Sequence, residues 1–309
     1  MYLIIYRREH ALMNDCLCTA CPRECAVDRA RSRGFCGESN TIRIARAAPH
    51  YWEEPPISGQ NGSGTVFFSG CSLRCIFCQN HEIAVSHIGY DISPDELVQT
   101  MLRLEMAGVH NINLVTPSHY TLQLIPVLKE ARRRGLKIPY VWNSSGYESV
   151  RTLRKLDGLI EIYLPDFKYL DPELAKMYSN APDYPETAKA ALAEMVRQCG
   201  SPVIDPVTGL MKSGVQVRHL VLPGCAQESR RILFYLYQTY GNCIGYSIMN
   251  QYTPMPQMKN HPLLSRRVTA HEYDTVIRYA RQIGIENAFT QEGEAASESF
   301  IPEFSGSAD

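Results

Sequence analysis

The run Thr65-Val66-Phe67-Phe68-Ser69-Gly70-Cys71-Ser72-Leu73-Arg74-Cys75-Ile76-Phe77-Cys78-Gln79-Asn80 joins two signals. Its first five residues, largely β-branched and aromatic, read as a buried strand. Its second part sets three cysteines at CxxxCxxC spacing on a loop that follows directly. Three thiolates on one short loop can hold three corners of a cubane iron–sulfur cluster, whose full complement is four cysteines. The fourth iron then has no protein ligand, and an open metal position is where chemistry is done. Structural zinc is the competing reading, but it normally takes four closed ligands, often as paired CxxC units.

Around that loop, a chain of 309 residues can bury the core of one barrel-sized domain with a small appendage. Hydrophobic residues make up 45% and charged residues 20%, as in a soluble globular enzyme. A formal net charge of −1 advertises neither a nucleic-acid partner nor an anionic membrane surface. No apolar run reaches the length of a membrane span. The opening Met1-Tyr2-Leu3-Ile4-Ile5-Tyr6 is short, carries no charge ahead of its apolar part and lacks a small-residue cleavage site, so it does not read as a signal peptide. Met13 is an alternative start, which would make residues 1–12 a translation artefact. Eight of the eleven cysteines lie before residue 79, in two clusters. Without a secretory signal such clusters read as metal ligands rather than disulfides, in a reducing cytoplasm.

The first cluster, Cys18-x2-Cys21-x3-Cys25-x10-Cys36, offers four ligands in a segment too short to form its own core. Metal would then supply the folding energy of this knob. Zinc and a second iron–sulfur cluster are both compatible with four thiolates, as are reduced, unligated thiols. Cys16 is the spare, and Arg29, Arg31 and Arg33 read as a solvated face. Residues 38–63 link the knob to the main domain, with a short strand at 42–45 and a loop over Glu53-Glu54-Pro55-Pro56-Ile57-Ser58-Gly59. The expected organisation is therefore a cysteine-rich segment and linker over 1–63, a barrel over 64–290 and a tail over 291–309.

From residue 64 onward, strands and helices alternate. Strands are expected at 65–69, 111–116, 139–144, 159–165, 215–222 and 244–250. Helices are expected from Ser93-Pro94-Asp95-Glu96 to Gly108 and over 122–134, 149–156, 172–179, 185–198, 228–240 and 270–283, with an inserted hairpin at 201–214. Short apolar strands between amphipathic helices argue an α/β fold with a parallel sheet. Six units point to a partial (β/α)6 TIM-like barrel; an open doubly wound sheet is the runner-up, although no GxGxxG follows any strand. Ligands of such folds gather at the C-terminal strand ends, and every end here is chemically loaded. They carry the three cysteines, then Thr116-Pro117-Ser118-His119-Tyr120, Asn143-Ser144-Ser145, Asp166-Phe167-Lys168-Tyr169, Arg218-His219 and Asn250-Gln251-Tyr252. Asp166 and Lys168 share one strand face, as do Asn143 and Ser145. His119 reads either as a hydrogen-bonded core histidine or as a site residue.

The cysteine loop, with Phe77 before its last cysteine, resembles the radical S-adenosylmethionine superfamily. Phe68-Ser69-Gly70-Cys71 through Cys78-Gln79-Asn80 is similar to the pyruvate formate-lyase activating enzyme-like group, in its uncharacterised branch with an N-terminal cysteine segment. Cys18-x2-Cys21-Pro22, Glu54-Pro55-Pro56-Ile57, Arg218 through Gly224, and the tail from Gln291-Glu292-Gly293-Glu294 to Ser299-Phe300-Ile301-Pro302 carry the same resemblance. It implies a partial barrel in which Cys71, Cys75 and Cys78 hold a [4Fe–4S] cluster whose unique iron takes the amino and carboxylate groups of S-adenosylmethionine. One electron, from a donor such as flavodoxin or ferredoxin, then cleaves the sulfonium to methionine and a 5′-deoxyadenosyl radical that abstracts hydrogen from a substrate. Phe77 would pack near the adenine. Asn143 or Ser145, with Asp166 and Lys168, would line the ribose and methionine moieties, and Arg218 would approach the carboxylate. Activating enzymes of the group carry a Gly-Gly-Glu motif after their second strand for the methionine amino group; here Thr116-Pro117-Ser118-His119 stands in that place, which leaves the role to Thr116 or to backbone carbonyls.

Three functions follow as expectations. The first is a radical oxidoreductase acting on a protein, with a glycine of a partner as the named case. The second is radical modification of a peptide or small molecule, with the N-terminal metal site as an auxiliary. The third is an iron–sulfur or zinc binding module without turnover, which the loaded strand ends argue against.

Overall fold

The computed structural model describes residues 17–291 and Phe304. Met1, Met13, Cys16 and the tail motif beyond Gln291 lie outside the described residues.

Strand β1 (Arg43–His50) pairs antiparallel with β2 (Ser63–Phe68) and with the two-residue β3 (Tyr90–Asp91). From β2 the sheet runs on in parallel through β4 (Ile112–Val115), β5 (Tyr140–Ser144), β6 (Ile162–Pro165), β8 (Met211–Leu220), β9 (Gly245–Met249) and β10 (Ala288–Thr290). The sheet does not close; β10 and β3 end the series. All six expected parallel strands form. β10 adds a seventh, three residues long and too short to show a period. The stretch expected as linker contributes the whole of β1, eight residues where four were expected. Residues 201–214 do fold as a hairpin: β7 (Val203–Ile204) pairs antiparallel with the start of β8, which carries that strand back to Met211.

Helices α1 (Pro94–Met106), α2 (Thr121–Arg133), α3 (Pro172–Ser179), α4 (Tyr184–Cys199), α5 (Ala226–Tyr240) and α6 (Ala270–Gln282) cover the outer face. The start of α1 is the one its sequence specifies: Ser93 and Glu96 form a reciprocal capping box that spans Pro94 at the first helical position. Outward residues of the strands, among them Trp142, Tyr163, Val217 and Ile248, pack with Leu128, Leu192, Leu236 and Val276 of the helices. Alternation leaves Asn143, Asp166, Arg218 and Ser247 on the inner face. The one-turn helix Pro55–Ser58 plugs one end of the interior, where Ile57 packs with Val141, Ile162, Leu164 and Met211.

The knob docks on this frame through arginines. Arg23 Nε donates to Ser72 O at 2.8 Å and its Nη1 to Asn180 O at 2.7 Å. Arg29, expected on a solvated face, is only 6% exposed. It donates to the carbonyls of His119 and of Ser39, and lies 5.2 Å from the Tyr120 ring centre. Tertiary docking overrode the charge-run reading; Arg31 does face solvent.

Two histidines behind the strand ends are held neutral. His119 Nε2 bonds Ser69 O at 2.7 Å, and burial together with the Arg29 charge pushes its pKa down to about 3. His219 bonds Phe167 O at 2.7 Å and Ser229 Oγ at 2.9 Å, and burial pushes it down to about 4. His119 is thus a core histidine. Below about pH 6.5 the unfolded chain binds protons that these imidazoles refuse in the folded state, so stability is lost as pH falls from there toward 4. Each histidine is worth up to ~3 kcal/mol in that window. Denaturant midpoints between pH 7 and 4.5 should fall steeply, and His219→Asn should flatten the slope; an unchanged slope would refute this assignment.

Candidate active site

The inner face of the sheet surrounds a cavity of about 340 Å3, within the range of small-molecule sites. Its centre is Arg218, carried inward by β8. The guanidinium donates through Nη1 to Glu53 Oε2 at 2.9 Å, through Nη2 to Asn143 Oδ1 at 2.7 Å and through Nε to Asp166 Oδ1 at 3.2 Å. Lys168 Nζ donates to the other Asp166 oxygen at 2.6 Å. Glu53 Oε1 also accepts from Asn113 Nδ2 at 2.9 Å and Asn143 Nδ2 at 3.3 Å. Burial works against ionisation of Asp166, but Lys168 and Arg218 outweigh it and hold the carboxyl below its usual range. The same partners keep Lys168 and Arg218 charged. Glu54 beside them goes the other way. Burial raises its pKa, partly opposed by Arg218 and reinforced by Glu53, and its Oε2 has no hydrogen-bond partner among the described residues.

The cysteine loop lies against this cavity, with Cys75, Phe77 and Cys78 in its wall. The loop turns at Gly70, whose φ is +81°; a Cβ there would stand 2.4 Å from Glu38 Cγ and 2.8 Å from Cys36 O, so only glycine fits. Ile76 N–H donates to Tyr178 O at 2.9 Å, and Ser179 Oγ donates to Cys75 Sγ at 2.9 Å. Phe77 stands edge-on to Tyr178 and Tyr252, with centroids 6.3 and 6.2 Å away. Burial raises the Cys75 and Cys78 pKa values; charge on Cys71 would raise both further, while Lys168 lowers them. The three sulfurs are therefore electrostatic neighbours. Three neighbouring thiols, two of them on a polar cavity, fit a cubane with one corner open.

Of the residues singled out in sequence, Phe77, Asn143, Asp166, Lys168 and Arg218 line the cavity together with Cys75 and Cys78. Thr116 and Ser145 are not in its lining. Thr116 turns out of β4 with φ +59°, its N–H bonded to Asn143 O at 2.9 Å. Ser145 lies beyond the end of β5, where its carbonyl accepts from Tyr184 OH at 2.9 Å. Glu53 and Glu54 line the cavity although their stretch reads as a plain proline loop; two acids ahead of Pro55-Pro56 were the signal available.

Residues 65–211 match the family model described as the Radical SAM superfamily. The match takes in the cysteine loop, Asn143, Asp166 and Lys168, and stops short of Arg218. An uncharacterized protein of Methanocaldococcus jannaschii is 26% identical over 279 residues, 87% of this chain and 75% of that one. The pyruvate formate-lyase-activating enzyme of Clostridium pasteurianum is 28% identical over 122 residues, 38% of this chain and 50% of that one. Among solved structures, a radical SAM methyltransferase from Sphaerobacter thermophilus superposes with a TM-score of 0.49 at 16% identity, covering 74% of this chain and 65% of that one.

Removing Arg218 would leave Glu53 and Asp166 buried without their shared cation. Arg218→Ala should destabilise the fold by about 3–5 kcal/mol. Glu53→Gln in the same chain should restore ~1 kcal/mol or more, because the two side chains act as one network. Urea midpoints of the four proteins in this cycle check it; additive effects would show that the pair is uncoupled.

Proposed function

From a chain whose residues 65–211 match the Radical SAM superfamily model, we infer a radical enzyme that cleaves S-adenosylmethionine in the cavity walled by Cys75 and Cys78. Enzymes of this superfamily use a [4Fe–4S] cluster and S-adenosylmethionine, which together supply reductive cleavage to methionine and a 5′-deoxyadenosyl radical for hydrogen abstraction from a substrate. The observation that carries the reading is the meeting of two cysteines of the loop and the Arg218–Asp166–Lys168 network in one cavity wall.

The chain's own residues then divide the work. Cys71, Cys75 and Cys78 hold the cluster. Lys168 and Arg218 present cations to a carboxylate, while Asp166 and Glu53 present acceptors to an ammonium or hydroxyl group. Phe77 contributes an apolar wall against a flat ring. The buried surroundings exclude water and protect a reactive species from side reactions. The substrate proposed is a glycine of a partner protein. The likeness to an activating enzyme over 122 residues supports it; the altered segment Thr116–His119, packed away from the cavity, leaves a peptide or small molecule as the second reading.

Anaerobically reconstituted protein, reduced with dithionite and given S-adenosylmethionine, should release 5′-deoxyadenosine and methionine in equal amounts. Cys75→Ala should bring release to background with the circular dichroism unchanged. Protein that loads iron yet forms neither product would end this reading.

A further inference from the structure

The knob holds chemistry that the barrel does not use. Cys18, Cys21, Cys25 and Cys36 are all free thiols. The chain folds them together by a few backbone bonds: Cys18 N–H to Val27 O at 2.9 Å, Ala26 N–H to Cys18 O at 3.0 Å and Glu24 N–H to Cys21 O at 3.1 Å. Gly34 sits between two of the sulfurs, since a Cβ there would lie 3.4 Å from Cys25 Sγ and 3.8 Å from Cys36 Sγ. Cys21 is buried, with Cys36, Cys18 and Cys25 as its electrostatic neighbours. The knob contributes few of the buried apolar side chains; Ala20 is one.

Beside this tetrad lies a cation whose bonds do not neutralise it. Arg29 is buried, both of its hydrogen bonds go to backbone carbonyls, and its Nε has no partner among the described residues. It lies within electrostatic reach of the Cys36 sulfur. Glu38 is nearby, but its carboxylate already serves His87 at 2.8 Å and Tyr120 OH at 3.1 Å. Burying a guanidinium is costly unless a counter-charge accompanies it. A four-thiolate centre with net negative charge next to Cys36 is such a counter-charge.

We propose that Cys18, Cys21, Cys25 and Cys36 hold a second iron–sulfur cluster, a [4Fe–4S] centre closed by four thiolates. Zinc has the same donors, but bonds of about 2.3 Å would draw all four sulfurs to within about 4 Å of one another. A cubane spreads its ligands over separate corners and asks for no such convergence. The centre adjoins the barrel loop: Cys71 N–H points to Cys36 O at 3.4 Å, and Arg23 ties the knob to Ser72 O. It is nonetheless a separate site from the open cluster, so the two can fail independently.

Anaerobic reconstitution of the full chain followed by iron, sulfide and zinc analysis tests it. About eight irons per chain are expected, falling to about four in the Cys18→Ser/Cys25→Ser pair. The complementary Cys71→Ala/Cys75→Ala/Cys78→Ala protein should keep about four irons, whose reduced-state EPR signal does not move when S-adenosylmethionine is added. That protein decides the matter even if the knob variant fails to fold. Four irons in the unaltered chain with none lost in the pair, one zinc lost in the pair, or an iron-free triple variant would each overturn the assignment.

Discussion

One guanidinium organises the interior. Arg218 reaches from β8 to a side chain on β5, to Asp166 just beyond β6, and to Glu53 on the segment after β1. β8 and β5, which share no direct ladder, are thereby tied across the intervening β6. Charges buried this deeply are tolerated only when each finds partners of good geometry. Below the network the interior turns apolar, where Ile57 meets Val141, Ile162 and Leu164. Polarity is thus confined to the level at which the cysteine loop arrives.

The end of β6 is held from two directions, which is why Asp166 and Lys168 can act as fixed points. Tyr184 OH accepts from Lys168 N at 2.9 Å and donates toward Ser145 O and Asp166 O. Further along, one oxygen of buried Glu228 accepts from the backbone N–H groups of Leu170, at 2.5 Å, and Asp171, at 2.7 Å. These bonds pin the backbone of the loop rather than its side chains, leaving the polar groups positioned but facing the cavity. A site assembled this way pays little reorganisation when a ligand enters.

The strands were readable because they are short, mostly apolar segments bounded by turn residues. Residues still within the alternating pattern, such as Asn143 and Arg218, point where parity says. Parity fails where the chain leaves the strand. Thr116 takes a left-handed φ, and Ser145 precedes a glycine with φ +74°, so counting by twos no longer sets the direction of either side chain. Glu53 and Glu54 were illegible for another reason. They belong to no strand and enter the interior only because Pro55–Ser58 is folded beneath the sheet. Arg29 looked like surface because its two carbonyl partners come from different segments, which a charge pattern cannot reveal.

The charge balance of the cavity also constrains what it can receive. Arg218 and Lys168 face Glu53 and Asp166, two cations against two anions, while burial favours the neutral form of Glu54. A group of unbalanced charge inserted into that network would upset the balance in a place where desolvation is expensive. One carrying both an ammonium and a carboxylate could exchange partners within the network, meeting Asp166 or Glu53 with one end and Arg218 or Lys168 with the other. No buried group would be left alone by the exchange, and the free oxygen of Glu54 would gain a donor. An amino-acid moiety therefore suits this interior better than a phosphate or a simple amine, and the open corner of a cluster held by Cys71, Cys75 and Cys78 would meet such a ligand at the same level.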